Sequence, residues 1–204
     1  MPQDYPSFTQ PATYEDLCAV PEHLTAEIID GVLITQPQPA LRHMSVASAL
    51  TTILAGPFQF GVGGPGGWIF IAEPELHLDD HIVVSDIAGW RTTRLTIVPD
   101  EPFLTIAPDW VCEVSSPHTE KHDKGPKRRI YAEAGVSFLW QADHPSRTIE
   151  TFERHDAGWL CGPTIADVGS VAVAPFAAAP FEAELIWRAL GPTDDTAPDA
   201  PSDT

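Results

Sequence analysis

Basic side chains are scarce in this sequence: lysine and arginine number 11 against 29 aspartates and glutamates, leaving a formal charge of −18. That balance excludes a protein that coats nucleic acid or anionic membrane through bulk electrostatics. Any nucleic-acid chemistry needs a local basic patch or bridging cations. Cysteine is scarcer still. Cys18, Cys112 and Cys161 are odd in number and form no CxxC pair, which speaks against a disulfide framework and against a structural zinc site. No apolar run reaches the roughly 18 residues of a membrane span. Met1 to Pro11 has neither the basic nor the apolar region of a signal peptide, so a soluble cytoplasmic protein is expected. What is present is apolar material: 43% of 204 residues, enough for a real core and suited to one domain.

The ends of the chain differ from its middle. Residues 1–12 read as a flexible segment and residues 13–190 as the folded domain. Residues 191–204, GPTDDTAPDAPSDT, read as a disordered acidic tail that cannot bury enough surface to offset its ordering entropy. Thr13 followed by Asp16 has the form of a capping box. Asp30-Gly31 between two β-rich arms is a hairpin signal. Met44, Ala47, Leu50 and Leu54 form a helical stripe. GVGGPGG, from Gly61 to Gly67, lacks the GK[ST] ending of a phosphate-binding loop and reads as a turn. Short strands are expected at Trp68–Ala72, Glu75–Leu78, His81–Val84 and Trp110–Val114. A helix follows between Lys121 and Ala134, stopped by Gly135, and then strands at Ser137–Gln141, Thr148–Phe152 and Trp159–Cys161. This order predicts an α+β fold with a mixed sheet flanked by helices.

Two acids stand where strands should be apolar. Asp86 follows Ile82, Val83 and Val84, and Glu113 sits between Val111-Cys112 and Val114. A carboxylate there is costly unless it is paired or binds a cation. Alternation puts Val111, Glu113 and Ser115 on one face of their strand and Cys112 and Val114 on the other. Just beyond lies KHDKGPKRR, with Lys124, Lys127, Arg128 and Tyr131 spaced to share a helical face. Acids holding a metal with a lysine close by is the equipment for cutting a phosphodiester. The plainer alternatives are a strand-ending turn for Asp86, a structural ion pair for Glu113 with Lys127 or Arg128, and solvated positions for Lys127 and Glu27. His43 at a helix start reads as a surface or capping residue sooner than a catalytic one, and Glu73 and Glu75, which could line the same cleft, read sooner as a solvated strand face. Trp90 is a candidate for base stacking, although tryptophans mostly fill cores.

The strings TYEDL, EIIDGVLI, VVSDIAGW, PDWVCEVSSPHT, DKGPK, YAEAGV and FLWQAD, in this order, resemble the Uma-two family of restriction-endonuclease-like proteins. That resemblance implies a restriction-endonuclease-like fold and metal-dependent hydrolysis of DNA. It implies Asp86 and Glu113 as ligands of Mg²⁺ or Mn²⁺, Lys127 as the lysine that serves the attacking water, and Glu27 as a further acid of the catalytic set. Lys121, Lys124, Arg128 and Arg129 would meet the DNA backbone. Duplex DNA cut on both strands implies a homodimer. Three positions depart from the family pattern: Ser85 stands where a proline is usual, His118 interrupts SPST, and Ser115 stands where a strand lysine would be. The acidic balance leaves two rival readings, an inert binding or scaffold protein and a hydrolase of another phosphate ester.

Overall fold

Thr13 starts the first helix, α1 (Tyr14–Cys18), as its sequence predicts. The Thr13 hydroxyl accepts the Asp16 N–H at 3.3 Å, and Asp16 Oδ2 accepts the Thr13 N–H at 2.8 Å. The computed structural model describes residues 10–115, 125–156 and 158–191. Most of the expected flexible start, Lys121 and Lys124, and the expected acidic tail after Gly191 lie outside the described residues. Strands β1 (Leu24–Ile29) and β2 (Val32–Pro37) form the hairpin, with Ile29 opposite Val32. Asp30 and Gly31 take φ values of 52° and 74°, the positive pair that a two-residue type I′ turn requires.

Two large sheets arise where the sequence suggested one. Strands β3 (Trp68–Ala72), β4 (Glu75–Leu78), β5 (His81–Val84), β6 (Ile87–Arg91), β7 (Phe103–Leu104) and β8 (Trp110–Ser115) are divided between them. The first sheet has the order β2-β1-β5-β4-β7. The second has the order β11-β10-β9-β8-β6-β3, completed by β9 (Phe138–Asp143), β10 (Thr148–His155) and β11 (Gly158–Cys161). Each is mixed, because β4 runs parallel to β7 and β8 parallel to β9. The chain leaves one sheet and enters the other at Ser85-Asp86, between β5 and β6. β6 is poorly signalled in sequence because Gly89 interrupts it. A side chain there would put its Cβ 3.0 Å from the Phe70 ring.

Helix α2 (Leu41–Leu54) departs from the expected stripe. Its buried residues are His43, Val46, Leu50 and Leu54, while Met44 is 47% exposed. The helix is rotated so that His43 points inward, for a reason that lies in the site. Helix α3 (Pro126–Glu133) has Pro126 in its first turn, where a missing N–H is tolerated. It is followed by Gly135 at φ 85° in the left-handed conformation common after helix ends. A short helix, α4 (Glu184–Trp187), packs beside α2. Strands β8 and β9 are buried on both faces. Trp110, Cys112, Trp140 and Ala142 join Val46, Leu50 and Ile186 in one core, while Val111 and Leu139 join Ile130, Tyr131 and Leu76 in the other. The second core lies between α3 and the two sheets, and alternation aims Glu113 toward it.

Candidate active site

Four sequence-predicted residues meet at the junction of the two sheets. Glu27 comes from β1, Asp86 from the crossover, Glu113 from β8 and Lys127 from the first turn of α3. Lys127 is 5% exposed. Its Nζ lies 2.9 Å from Glu27 Oε1 and 3.6 Å from Glu113 Oε2, and it donates to the Val84 carbonyl at 2.8 Å. Glu27 Oε1 also accepts the Val84 N–H at 2.8 Å, so the end of β5 grips the acid and the lysine together. Lys127 reaches the site from a helix, one route by which a strand ending in Ser115 rather than lysine can be served.

Asp86 is fixed through both oxygens. Its Oδ2 accepts the Val114 N–H at 2.6 Å, and its Oδ1 lies 2.8 Å from His43 Nε2. The inward turn of α2 therefore delivers an imidazole to the acid. Glu113 is held by the Tyr131 hydroxyl, which donates to its Oε1 at 2.5 Å. Tyr131 stands four residues after Lys127, so one face of α3 supplies both groups. Burial pushes the Glu113 carboxyl up to about 8, with the negative charges of Asp86 and Glu27 adding to the rise and Lys127 and Tyr131 opposing it. The same burial, beside Glu113, raises the Tyr131 hydroxyl well above its ordinary value.

Glu27, Asp86, Glu113, Lys127 and His43 line one pocket of about 500 Å³, together with Glu73 and the outer part of the β1–β2 hairpin. Glu75 turns away to His77 at 2.7 Å. Trp90 is fully buried and donates to the Ile106 carbonyl, which makes it core rather than a stacking platform. Arg129 Nη2 donates to both carboxylate oxygens of Asp30 at 2.8 Å, and its Nη1 donates to Glu133 at 3.0 Å. The Arg128 guanidinium lies 4.0 Å over the Phe152 ring, so it leaves the Lys127 face of α3. Sequence reasoning missed two members of this site. His43 carried only the signal of a lone histidine ahead of an apolar stripe, and Tyr131 only its spacing from Lys127.

The donor set suits a hard divalent cation in kind. Asp86 and Glu113 offer carboxylate oxygens to the same pocket, and Glu113 is unfavourably buried as an anion without added positive charge. Among the described residues, no group of three or more His, Cys, Asp and Glu forms a ready-made cage. Two carboxylates with the remaining positions left to water and substrate is the usual arrangement for Mg²⁺.

A family model described as "Putative restriction endonuclease", that of the Uma-two family, matches residues 11–173. Among solved structures, the chain is similar to a protein from Anabaena variabilis described as a "putative nuclease". The TM-score is 0.70 at 20% identity, over 88% of this chain and 99% of that one. That likeness establishes the restriction-endonuclease-like fold. No curated protein matches the chain. Among the described residues, no helix is long and apolar enough to cross a membrane.

Proposed function

The chain belongs to the Uma-two family, and from that membership together with the buried acid–lysine site we propose that it is a metal-dependent endonuclease hydrolysing DNA phosphodiester bonds. The observation that carries this reading is the placement of Lys127, an ammonium held at 2.9 Å from Glu27 and 3.6 Å from Glu113 on the wall of an open pocket. Asp86 and Glu113 would hold Mg²⁺ or Mn²⁺, which supplies charge neutralisation at the phosphate and a lowered pKa for water. Lys127 orients the attacking water and stabilises charge that develops on the phosphate. Glu27 holds the ammonium in place. His43 and the Val114 N–H fix the plane of the Asp86 carboxylate at the pocket lining. Tyr131 does the same for Glu113.

A chain that cuts both strands of a duplex acts most simply as a symmetric pair, so light scattering with and without DNA belongs to the test. The test itself is cleavage of plasmid, linear duplex and single-stranded DNA with Mg²⁺ or Mn²⁺ against a chelator control. Metal-dependent cleavage that Glu113→Gln abolishes is the expected result. No cleavage of any DNA with either metal would favour the inert, binding member of the family and overturn this reading.

A further inference from the structure

Helix α2 has two faces and no acidic residue on either. On one side Val46, Leu50 and Leu54 fill the core. On the other, Leu41, Met44, Ser45, Ser48, Ala49 and Thr52 recur at helical spacing along an open groove. Leu185 of α4 and Ala189, in the turn after it, join them. Among the described residues that line this groove, none is charged. Leu41 is 81% exposed and Met44 47%, so the large apolar side chains of this face stand in water. A helix that faces solvent carries charge there, whereas one without a charged face is covered on both sides.

The order of side-chain sizes along this face fits a second copy of the helix. Its bulk lies in the first turn, at Leu41 and Met44, and small residues follow at Ser45, Ser48, Ala49 and Thr52. Another α2 laid antiparallel across it sets bulk against small residues at both ends at once. A two-fold interface requires that self-complementarity, because residue i meets j wherever j meets i. With Ser48 at the axis, Met44 falls opposite the partner's Thr52, and Leu41 lies about one turn beyond. Small side chains near the axis let the two helices approach closely. Charge favours the same occupant. Two chains of −18 repel each other, and a face free of acids lets them meet without opposing like charges. The chain's own end suits the groove poorly, since the sequence after Gly191 has four aspartates and no large apolar residue.

We propose that this face of α2 is the two-fold interface of a homodimer, in which two copies of the helix pack antiparallel about Ser48. The interface stands apart from the nuclease reading, since none of the pocket's acids takes part in it. It nevertheless reaches the site. Ala40 and His43 line the acid–lysine pocket, so the helix that joins the copies also borders each pocket. The N-terminal ends of the paired helices lie about 24 Å apart along their common direction. Two pockets are thereby carried on one rigid helix pair.

Sedimentation velocity of the full chain, without DNA or metal, tests this over about 1 to 100 μM. Expected is a mass that rises with concentration to twice that of the chain. Ser48→Arg, at an exposed position, sets two like charges and two long side chains at the axis and should weaken association by about tenfold or more. Measured where the parent is monomeric, its Tm should stay within about 2 °C of the parent's. Geometry is read by crosslinking in a chain carrying Cys18→Ser and Cys161→Ser, which removes the two exposed thiols. A short thiol crosslinker should join two copies of Ser48→Cys. It should not join two copies of Leu41→Cys, which lie about 21 Å apart along the helix pair. A parent that stays monomeric at every concentration overturns the interface. So does a dimer that survives Ser48→Arg, or one that Leu41→Cys links as readily as Ser48→Cys. A parent that turns dimeric only when residues 1–9 are removed gives the groove to that segment and overturns the interface as well.

Discussion

Replacing Glu113 with glutamine removes one titrating group from the centre of the protein, and its consequence can be worked out in sign and size. An ordinary glutamate releases its proton near pH 4.5, whereas burial among acids holds Glu113 up to about 8. Between those values the native chain keeps a proton that the unfolded chain has lost. Stability therefore falls as pH rises through this window, by about 1.4 kcal/mol per pH unit. Below the window both states are protonated and the group contributes nothing. Above it the penalty is fully present. For a chain of this length the slope corresponds to about 3–6 °C in Tm per pH unit. Glu113→Gln keeps an oxygen to accept the Tyr131 hydroxyl but turns an amide toward Lys127, so its absolute Tm can move either way. Its dependence on pH is what decides. Melting curves in chelator between about pH 5 and 8 should be flatter for Glu113→Gln than for the parent by that slope. Mn²⁺ should flatten the parent's curve as well, because a cation favours the ionised acid. Parallel curves for parent and variant would refute the account of a strained, buried Glu113.

Asp86→Asn should weaken Mn²⁺ binding measured by calorimetry by about tenfold or more, and binding to the parent should tighten as pH rises toward about 8; unchanged affinity in both Asp86→Asn and Glu113→Gln would remove the metal from this pocket. His43→Ala should weaken Mn²⁺ binding about 10- to 100-fold, as loss of a group that orients a ligand does. His43→Gln should recover part of that, and equal affinity in the parent and both variants would reduce His43 to packing. Lys127→Met leaves Glu27 buried without its cation and should destabilise by about 3–5 kcal/mol. Adding Glu27→Gln should return most of the stability without restoring cleavage, and a single variant as stable as the parent would show that the pair does not hold α3 to the hairpin.

Local signals in this sequence translate directly into structure. Thr13 and Asp16 are three residues apart, Asp30-Gly31 is a dipeptide, and both do in the fold what such groupings do anywhere. Glu113 is legible for a different reason: a charge inside an apolar strand conflicts with its surroundings, and the conflict is visible without knowing the partner. Asp86 gives a similar signal right after the apolar run of β5, although the structure puts it in the crossover between β5 and β6 rather than in a strand. Partners are another matter. His43 meets Asp86 only because α2 is rotated to hide Val46 rather than Met44, and that choice depends on the sheet beneath the helix. Arg128 and Arg129 belong to a basic run that suggests phosphate contacts, yet Phe152 and Asp30, distant in sequence, take them up. The division into two sheets is equally nonlocal. Two consecutive strands, β5 and β6, look like a continuing meander until the chain crosses at Ser85-Asp86.

That crossover explains why an acid can be tolerated here. At the point where the chain changes sheets, the Val114 N–H is met by a side chain, and Asp86 Oδ2 supplies the acceptor at 2.6 Å. The carboxylate thus completes the backbone hydrogen bonding of β8 with one oxygen and presents the other to His43 and the pocket. Glu27 has the same double duty, since it accepts the Val84 N–H while holding Lys127. Each acid repays part of its burial by satisfying a backbone donor that would otherwise be orphaned. Substituting either one perturbs folding and the site together, so loss of cleavage alone cannot assign a catalytic role to Asp86 or Glu27. Metal affinity read beside Tm separates the two, because the Val114 and Val84 hydrogen bonds govern the second quantity and the pocket-facing oxygens govern the first.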